Sequence, residues 1–246
     1  MIAIDQVGFC KSSKPVAYQF SFQQLAANTR ALVRSLGVDR FILVGHSTGG
    51  MLGVRYSLMH PEDIEQLVLV SPIGLEDWKA KGVPSQTVDQ WYAEQVKTTA
   101  QSVRTFEQAT YYAGTWRPDF DKWVQMFAGQ FNGPGRDLAA WESALLYDMI
   151  YTQPVFYELQ DLKVPVLLIS GDKDNSKLGK GFTSPDVLAG LGLYPDLAKA
   201  AAARIPGARL VEFPDLGHAS FIQDPERFNK ILLAGLTPDH ALRPAQ

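Results

Sequence analysis

Residues 41–50 read FILVGHSTGG, and this stretch restricts the fold more than any other. Phe41 to Val44 is an apolar run of strand character. Thr48 to Met59 has helical character and ends before Pro61. The chain must therefore pass from strand to helix within a few residues, through a turn that holds Gly45, Gly49 and Gly50, with Gly53 in the helix beyond it. Gly45 and Gly49 are expected where the strand and helix backbones nearly touch, and Gly50 and Gly53 where the helix lies close on a sheet. Ser47 occupies the apex.

The rest of the chain supplies the sheet. Met1-Ile2-Ala3-Ile4 reads as a short buried strand, stopped by Asp5 and Gly8. Gln66–Ser71, Val164–Ser170 and Ala208–Phe213 are further apolar strands. Helices are expected from a Ser21/Gln24 capping box to Gly37, at Asp196–Arg204 and at Pro225–Leu233. Strands alternating with helices predict an α/β fold, a mostly parallel sheet covered on both faces. Between Pro72 and Pro154 no strand pattern occurs, and all five tryptophans fall there. A helical stretch of about 80 residues is too long for a loop and reads as an inserted cap. The expected organisation is a core of residues 1–72 and 155–236, a cap of 73–154 and a polar tail of 237–246.

Composition removes several function classes. The chain has 246 residues and a net charge of −3, with no basic run, so nucleic acid is not an expected partner. No stretch approaches the roughly 20 apolar residues of a membrane span. The single cysteine, Cys10, allows no internal disulfide and no zinc spacing. Residues 1–5 read as a strand rather than a signal peptide, so a soluble, cytoplasmic protein is the default expectation, unless an upstream signal precedes Met1.

Gly45-His46-Ser47-Thr48-Gly49 fits G-x-S-x-G, the nucleophile elbow. The following helix aims its N–H groups at Ser47, and the N–H of Thr48 can donate to an oxyanion. A serine nucleophile needs a base, and the base needs an orienting carboxylate. Four histidines exist. His46 lies inside the elbow with its side chain expected to point elsewhere, His60 caps the elbow helix at the surface, and His240 lies in the tail. That leaves His218, in FPDLGHASF directly after the last strand. The acid should follow the strand VPVLLIS, where Asp172 and Asp174 compete. The chain must turn at Gly171 before a carboxylate can face the histidine, which favours Asp174, with Asp172 bonding or capping the loop backbone.

With these residues in order, the chain resembles the serine branch of the α/β-hydrolase superfamily with a helical cap. DQVGFCKSS at 5–13 is similar to that family's D-x-x-G-x-G-x-S segment, with Cys10 in place of a glycine. GHSTGG resembles its elbow, GDKD its acid loop and DLGHA its histidine loop. The resemblance implies a Ser47–Asp174–His218 triad, carbonyl cleavage through an acyl-enzyme, and no metal or organic cofactor. It also implies a substrate pocket between cap and sheet. There Trp78, Trp116, Trp123, Tyr147 and Tyr151 suggest a small apolar acyl or aryl substrate. Family members place the D-x-x-G segment after a fourth strand, and an earlier His-Gly pair supplies a second oxyanion N–H. Here that segment begins at residue 5 and no His-Gly pair occurs, so the expectation is an N-terminally truncated chain, unstable or nearly inactive alone. Met1–Ile4 and Phe41–Val44 would then pair directly or flank a gap. A non-catalytic small-molecule binder or an inactive fragment is the alternative function.

Overall fold

In a computed structural model of the chain, residues 1–15 and 17–236 are described. His240 and the tail 237–246 lie outside the described residues. Four parallel strands form one sheet in the order β1 (Phe41–His46), β2 (Ile64–Val70), β3 (Val166–Gly171), β4 (Arg209–Phe213). The ladders pair His46 with Val70, Val70 with Ile169, and Gly171 with Phe213. All four carboxyl ends therefore open along one edge of the sheet, where open α/β sheets place ligands.

Alternation along each strand divides the core in two. Leu67, Leu69 and Leu168 face a large cluster with Phe22 and Leu25 of α1 (Phe22–Ser35) and with Met51 and Val54 of α2 (Thr48–Met59). Val68, Val70, Leu167 and Ile169 face the other way, onto Phe213 and onto Phe228, which lies in a C-terminal helix (Pro225–Gly235). Each such side chain contributes roughly 1.5–3 kcal/mol by leaving water. A strand buried on both faces must be apolar throughout, which is why VLLIS reads as a continuous run.

Between β2 and β3 the chain is helical: α3 (Val88–Gln95), α4 (Ala100–Phe106), α5 (Asp121–Ala128) and α6 (Arg136–Thr152). Glu107–Tyr111 continues α4 as one π-helical turn. After β3 come α7 (Pro185–Ala189) and α8 (Tyr194–Arg204), and after β4 α9 (Ser220–Gln223) and α10, the helix that carries Phe228.

Three expectations need correction. Met1–Ile4 forms no strand, and Met1 and Ile2 are exposed. An apolar tetrapeptide becomes a strand only where a neighbour takes up its backbone hydrogen bonds, and these residues join no ladder among those described. The four-stranded sheet has no internal gap, and β1 stands at its edge with Val44 exposed. The capping box at α1 is half made. Ser21 Oγ accepts from Gln24 N at 3.0 Å, but the Gln24 side chain donates to Asn28 Oδ1 instead of returning to Ser21.

Candidate active site

Ser47 joins β1 directly to α2 with φ 55° and ψ −121°, a conformation that costs a non-glycine residue of order 1–3 kcal/mol. The end of β2 holds it there: Ser47 N donates to Val70 O, and Ile73 N donates to Ser47 O, each at 3.2 Å. The glycines explain how so tight a turn closes. A Cβ on Gly45 would lie 2.2 Å from Gly49 O, one on Gly50 2.5 Å from Pro72 Cβ, and one on Gly53 2.9 Å from Leu67 Cδ1. Gly49 differs from expectation, since a Cβ there meets nothing within 4 Å; only its carbonyl crowds Gly45. Thr48 N–H, at the first turn of α2, has no partner among the described residues and points along the positive end of the helix.

The loops after β3 and β4 bring Asp174 to His218. Lys173 N donates to Leu216 O and Asp172 N to Phe213 O, both at 2.9 Å, so the two loops are zipped by their backbones. His218 Nδ1 lies 2.6 Å from Asp174 Oδ2, and both side chains are buried. With Nδ1 donating to the carboxylate, Nε2 is the ring nitrogen left to accept a proton. Asp172 does not bond or cap the loop through its side chain as expected. Its Oδ1 is buried without a partner, and burial together with nearby Glu212 pushes its carboxyl up.

Sequence reasoning missed three contributors. The first is Ser176, whose N donates to Asp174 Oδ1 at 2.8 Å and whose Oγ lies 2.9 Å from His218 Nδ1. The second is the π turn. Thr110 O accepts from His218 N and Tyr111 O from Ala219 N, each at 3.1 Å, while Ala109 O accepts from Asn175 Nδ2 at 2.9 Å. One turn of the helical insertion thus grips both loops. π turns concentrate at functional sites, and this one carries no sequence signature beyond a helical pattern. The third is His46. Its ring lies 4.7 Å from that of His218, and its Nε2–H donates to His218 O at 3.0 Å. It is thus part of the site rather than turned elsewhere. Among the described residues no hydrogen bond joins Ser47 itself to His218; the elbow reaches the histidine loop through His46.

Burial, reinforced by His218, lowers the His46 pKa from its ordinary 6.5 to about 3. In the fold His46 stays neutral, while the unfolded chain protonates it below about pH 6.5. Its contribution to stability is thus complete above pH 6.5 and falls by about 1.4 kcal/mol per pH unit as pH drops toward 3. Melting wild type and His46→Gln from pH 7 to 4.5 is expected to show the steeper acid loss in wild type. Parallel curves would show that His46 carries no such linkage.

The five aromatics expected in a pocket divide between clusters. Trp78 and Tyr151 are buried in the main core, where the Tyr151 hydroxyl donates to Val83 O. Tyr147 stacks on Trp91 at 5.4 Å. Trp116 and Trp123 pack with Tyr112, Phe120 and Ala219, next in the chain to His218. Tyr111 lies 5.0 Å from the His218 ring, and its phenol, pushed up by burial, stays protonated. An open groove of about 480 Å³ behind the histidine loop, bordered by Arg117, Phe120, Leu216 and Gln223, includes none of the five.

Two glycines let the loops approach. A Cβ on Gly171 would lie 2.3 Å from Gly217 O, and one on Gly217 2.7 Å from Tyr111 O. Gly171→Ala must therefore displace the backbone that carries His218. The expected result is a protein that stays folded by circular dichroism while any turnover that uses His218 falls by about 10²-fold, the order of effect of an ångström-scale misplacement. An unchanged rate would mean that the loop yields elsewhere.

A strained serine at a strand–helix junction, whose neighbour His46 meets a buried His–Asp pair at the carboxyl edge of a parallel sheet, is an arrangement that α/β hydrolases share. The family model described as alpha/beta hydrolase fold matches residues 1–225, and the chain belongs to that family. The crystal structure of a probable hydrolytic enzyme from Pseudomonas aeruginosa PAO1 superposes with a TM-score of 0.94 at 60% identity, covering 95% of this chain and 75% of that one. A rice protein (Oryza sativa subsp. japonica) to which 1-acylglycerol-3-phosphate O-acyltransferase activity is ascribed is 25% identical over 93% of this chain, which spans 58% of its length. RutD of Serratia proteamaculans, to which carbamate hydrolysis is ascribed, is 26% identical over 96% of this chain and 80% of its own. Among the described residues no cluster of three or more His, Cys, Asp or Glu could hold a metal ion, and no helix is long and apolar enough to cross a membrane.

Proposed function

We propose that this chain is a serine hydrolase that cleaves a small ester-like carbonyl compound through an acyl-enzyme. The observation that carries the reading is the strained Ser47 at the sheet edge where His218 meets Asp174. His218 Nε2 takes the Ser47 proton as Oγ bonds to the substrate carbonyl carbon, and the oxyanion rests on Thr48 N–H. His218 returns the proton to the departing alcohol, leaving the acyl group on Ser47. His218 then deprotonates a water that attacks the acyl carbon, and collapse releases the acid and restores Ser47. Asp174 holds the ring with Nδ1–H toward itself throughout.

Residues 73–154 act as the cap over a core of 1–72 and 155–236, and the substrate lies between them. An apolar acyl or aryl group suits the aromatic side chains of the cap, of which Trp116 and Trp123 pack in one cluster with Ala219 of the histidine loop. The activities ascribed to the rice and Serratia relatives both centre on a carbonyl carbon, consistent with acyl chemistry. The test is a fluorophosphonate probe on the purified protein, which is expected to label Ser47 alone. Labelling that survives Ser47→Ala would reject the assignment.

A further inference from the structure

On the reading just given, we propose that Ser176 is a positioning residue: its hydroxyl is a second oxygen on His218 Nδ1 and holds the ring when the Asp174 carboxylate cannot. Nδ1 has one hydrogen and two oxygens within reach, Asp174 Oδ2 at 2.6 Å and Ser176 Oγ at 2.9 Å. The shorter contact, to a carboxylate, takes the larger share of that hydrogen, and the hydroxyl takes the weaker branch. Both oxygens come from one turn, because Ser176 N donates to Asp174 Oδ1 at 2.8 Å. The serine thus fixes the carboxylate with its backbone and the imidazole with its side chain. Ser176 cannot serve as a second nucleophile. It is buried and faces Nδ1, whereas proton abstraction toward substrate uses Nε2.

The surroundings keep the hydroxyl in place. Asn175, the preceding residue, is tied to Ala109 O and to Thr110 Oγ1, and a Cβ on Gly192 would lie 2.8 Å from Ser176 O. The turn is clamped on both sides, so the hydroxyl cannot drift from the ring without moving the π turn. Two consequences follow from the chemistry. A hydroxyl oxygen on Nδ1–H favours the ring carrying a second proton, so its removal shifts the acid limb of the pH–rate profile to lower pH. With Asp174 replaced by alanine, Ser176 Oγ is the remaining acceptor that keeps Nδ1 protonated and Nε2 free.

Ser176→Ala isolates the hydroxyl, since alanine keeps the backbone N–H on Asp174 Oδ1. On p-nitrophenyl acetate it is expected to lower kcat by about tenfold, the worth of one hydrogen bond, with KM little changed and the acid limb displaced downward. In the Asp174→Ala background the same change is expected to cost a larger factor than in wild type, a coupling that a purely structural serine would not produce. The substrate-free protein, labelled with ¹⁵N-histidine, gives a readout that needs no turnover. The His218 Nδ1–H proton resonance is expected to move and broaden in Ser176→Ala. An unmoved resonance, or equal factors in the two backgrounds with an unmoved pH profile, would overturn the inference. If Ser47→Ala retains the esterase rate, the serine-hydrolase reading fails, and the resonance still decides whether Ser176 holds the ring.

Discussion

Ser47→Ala is expected to cut p-nitrophenyl ester turnover by about 10³-fold or more, because the proposed mechanism then lacks its bond-forming oxygen and keeps only binding and the oxyanion donor. The same position makes a second, opposite claim about stability. Ser47 sits at φ 55° and ψ −121° and is held there by Val70 O and Ile73 N. Alanine inherits that strain, whereas glycine does not. Ser47→Gly is therefore expected to be as inactive as Ser47→Ala but more stable by about 1–2 kcal/mol. The released strain of roughly 1–3 kcal/mol less the 0.5–1 kcal/mol entropic cost of a glycine spans about 0–2.5 kcal/mol, and the expected gain is the middle of that range. For a chain of this size the gain corresponds to about 2–8 °C in Tm. Thermal melts of the three proteins beside their esterase rates provide the measurement. A glycine variant melting at or below the alanine variant would show that the elbow stores no strain, and a fully active alanine variant would remove Ser47 from the chemistry.

Much of the fold was legible because the governing signals were local. The elbow helix runs from Thr48 to Met59 as read, since the strand–glycine turn starts it and Pro61 ends it. The strands at Ile64–Val70, Val166–Gly171 and Arg209–Phe213 fall within two residues of their apolar runs at either end. Met1–Ile4 shows where local signals stop: four apolar residues define a strand only with a neighbour, and pairing is not written in the run itself. The candidate site divides in the same way. His218 and Asp174 could be singled out because each lies in the short loop after a strand, and chain order restricts which loops can meet. Ser176 could not, because a serine two residues after an aspartate is an ordinary turn residue until the fold sets Nδ1 beside it. The grip of Ala109, Thr110 and Tyr111 was equally hidden, since it is made by backbone carbonyls and every residue has one. His46 was misjudged because adjacency to Ser47 says nothing of the loop from β4 that its ring meets.

Asp174→Asn should lose about 10³–10⁴-fold in turnover, while Asp172→Asn should change it by no more than a few-fold. Both oxygens of Asp174 accept hydrogen bonds, Oδ1 from Ser176 N and Oδ2 from His218 Nδ1. An amide offers one oxygen and one NH₂, so one of the two donors must face another donor. If the NH₂ faces Ser176 N, a buried donor pair is left unbonded, at about 1–3 kcal/mol. If it faces His218, the imidazole relieves the conflict by moving its hydrogen from Nδ1 to Nε2. That tautomer donates where the proposed mechanism needs an acceptor, and it leaves Ser47 without the base that mechanism assigns to it. Asp172 lies on the other side of the same loop, toward Glu212, with an unpartnered buried oxygen and a carboxyl pushed up by burial. Removing a charge that is poorly solvated and makes no bond to His218 should leave the ring alone and leave stability equal or slightly higher. Side-by-side kcat/KM values and melts of the two variants decide the matter. Equal losses, or the larger loss at Asp172, would mean that the carboxylate orienting His218 is not Asp174.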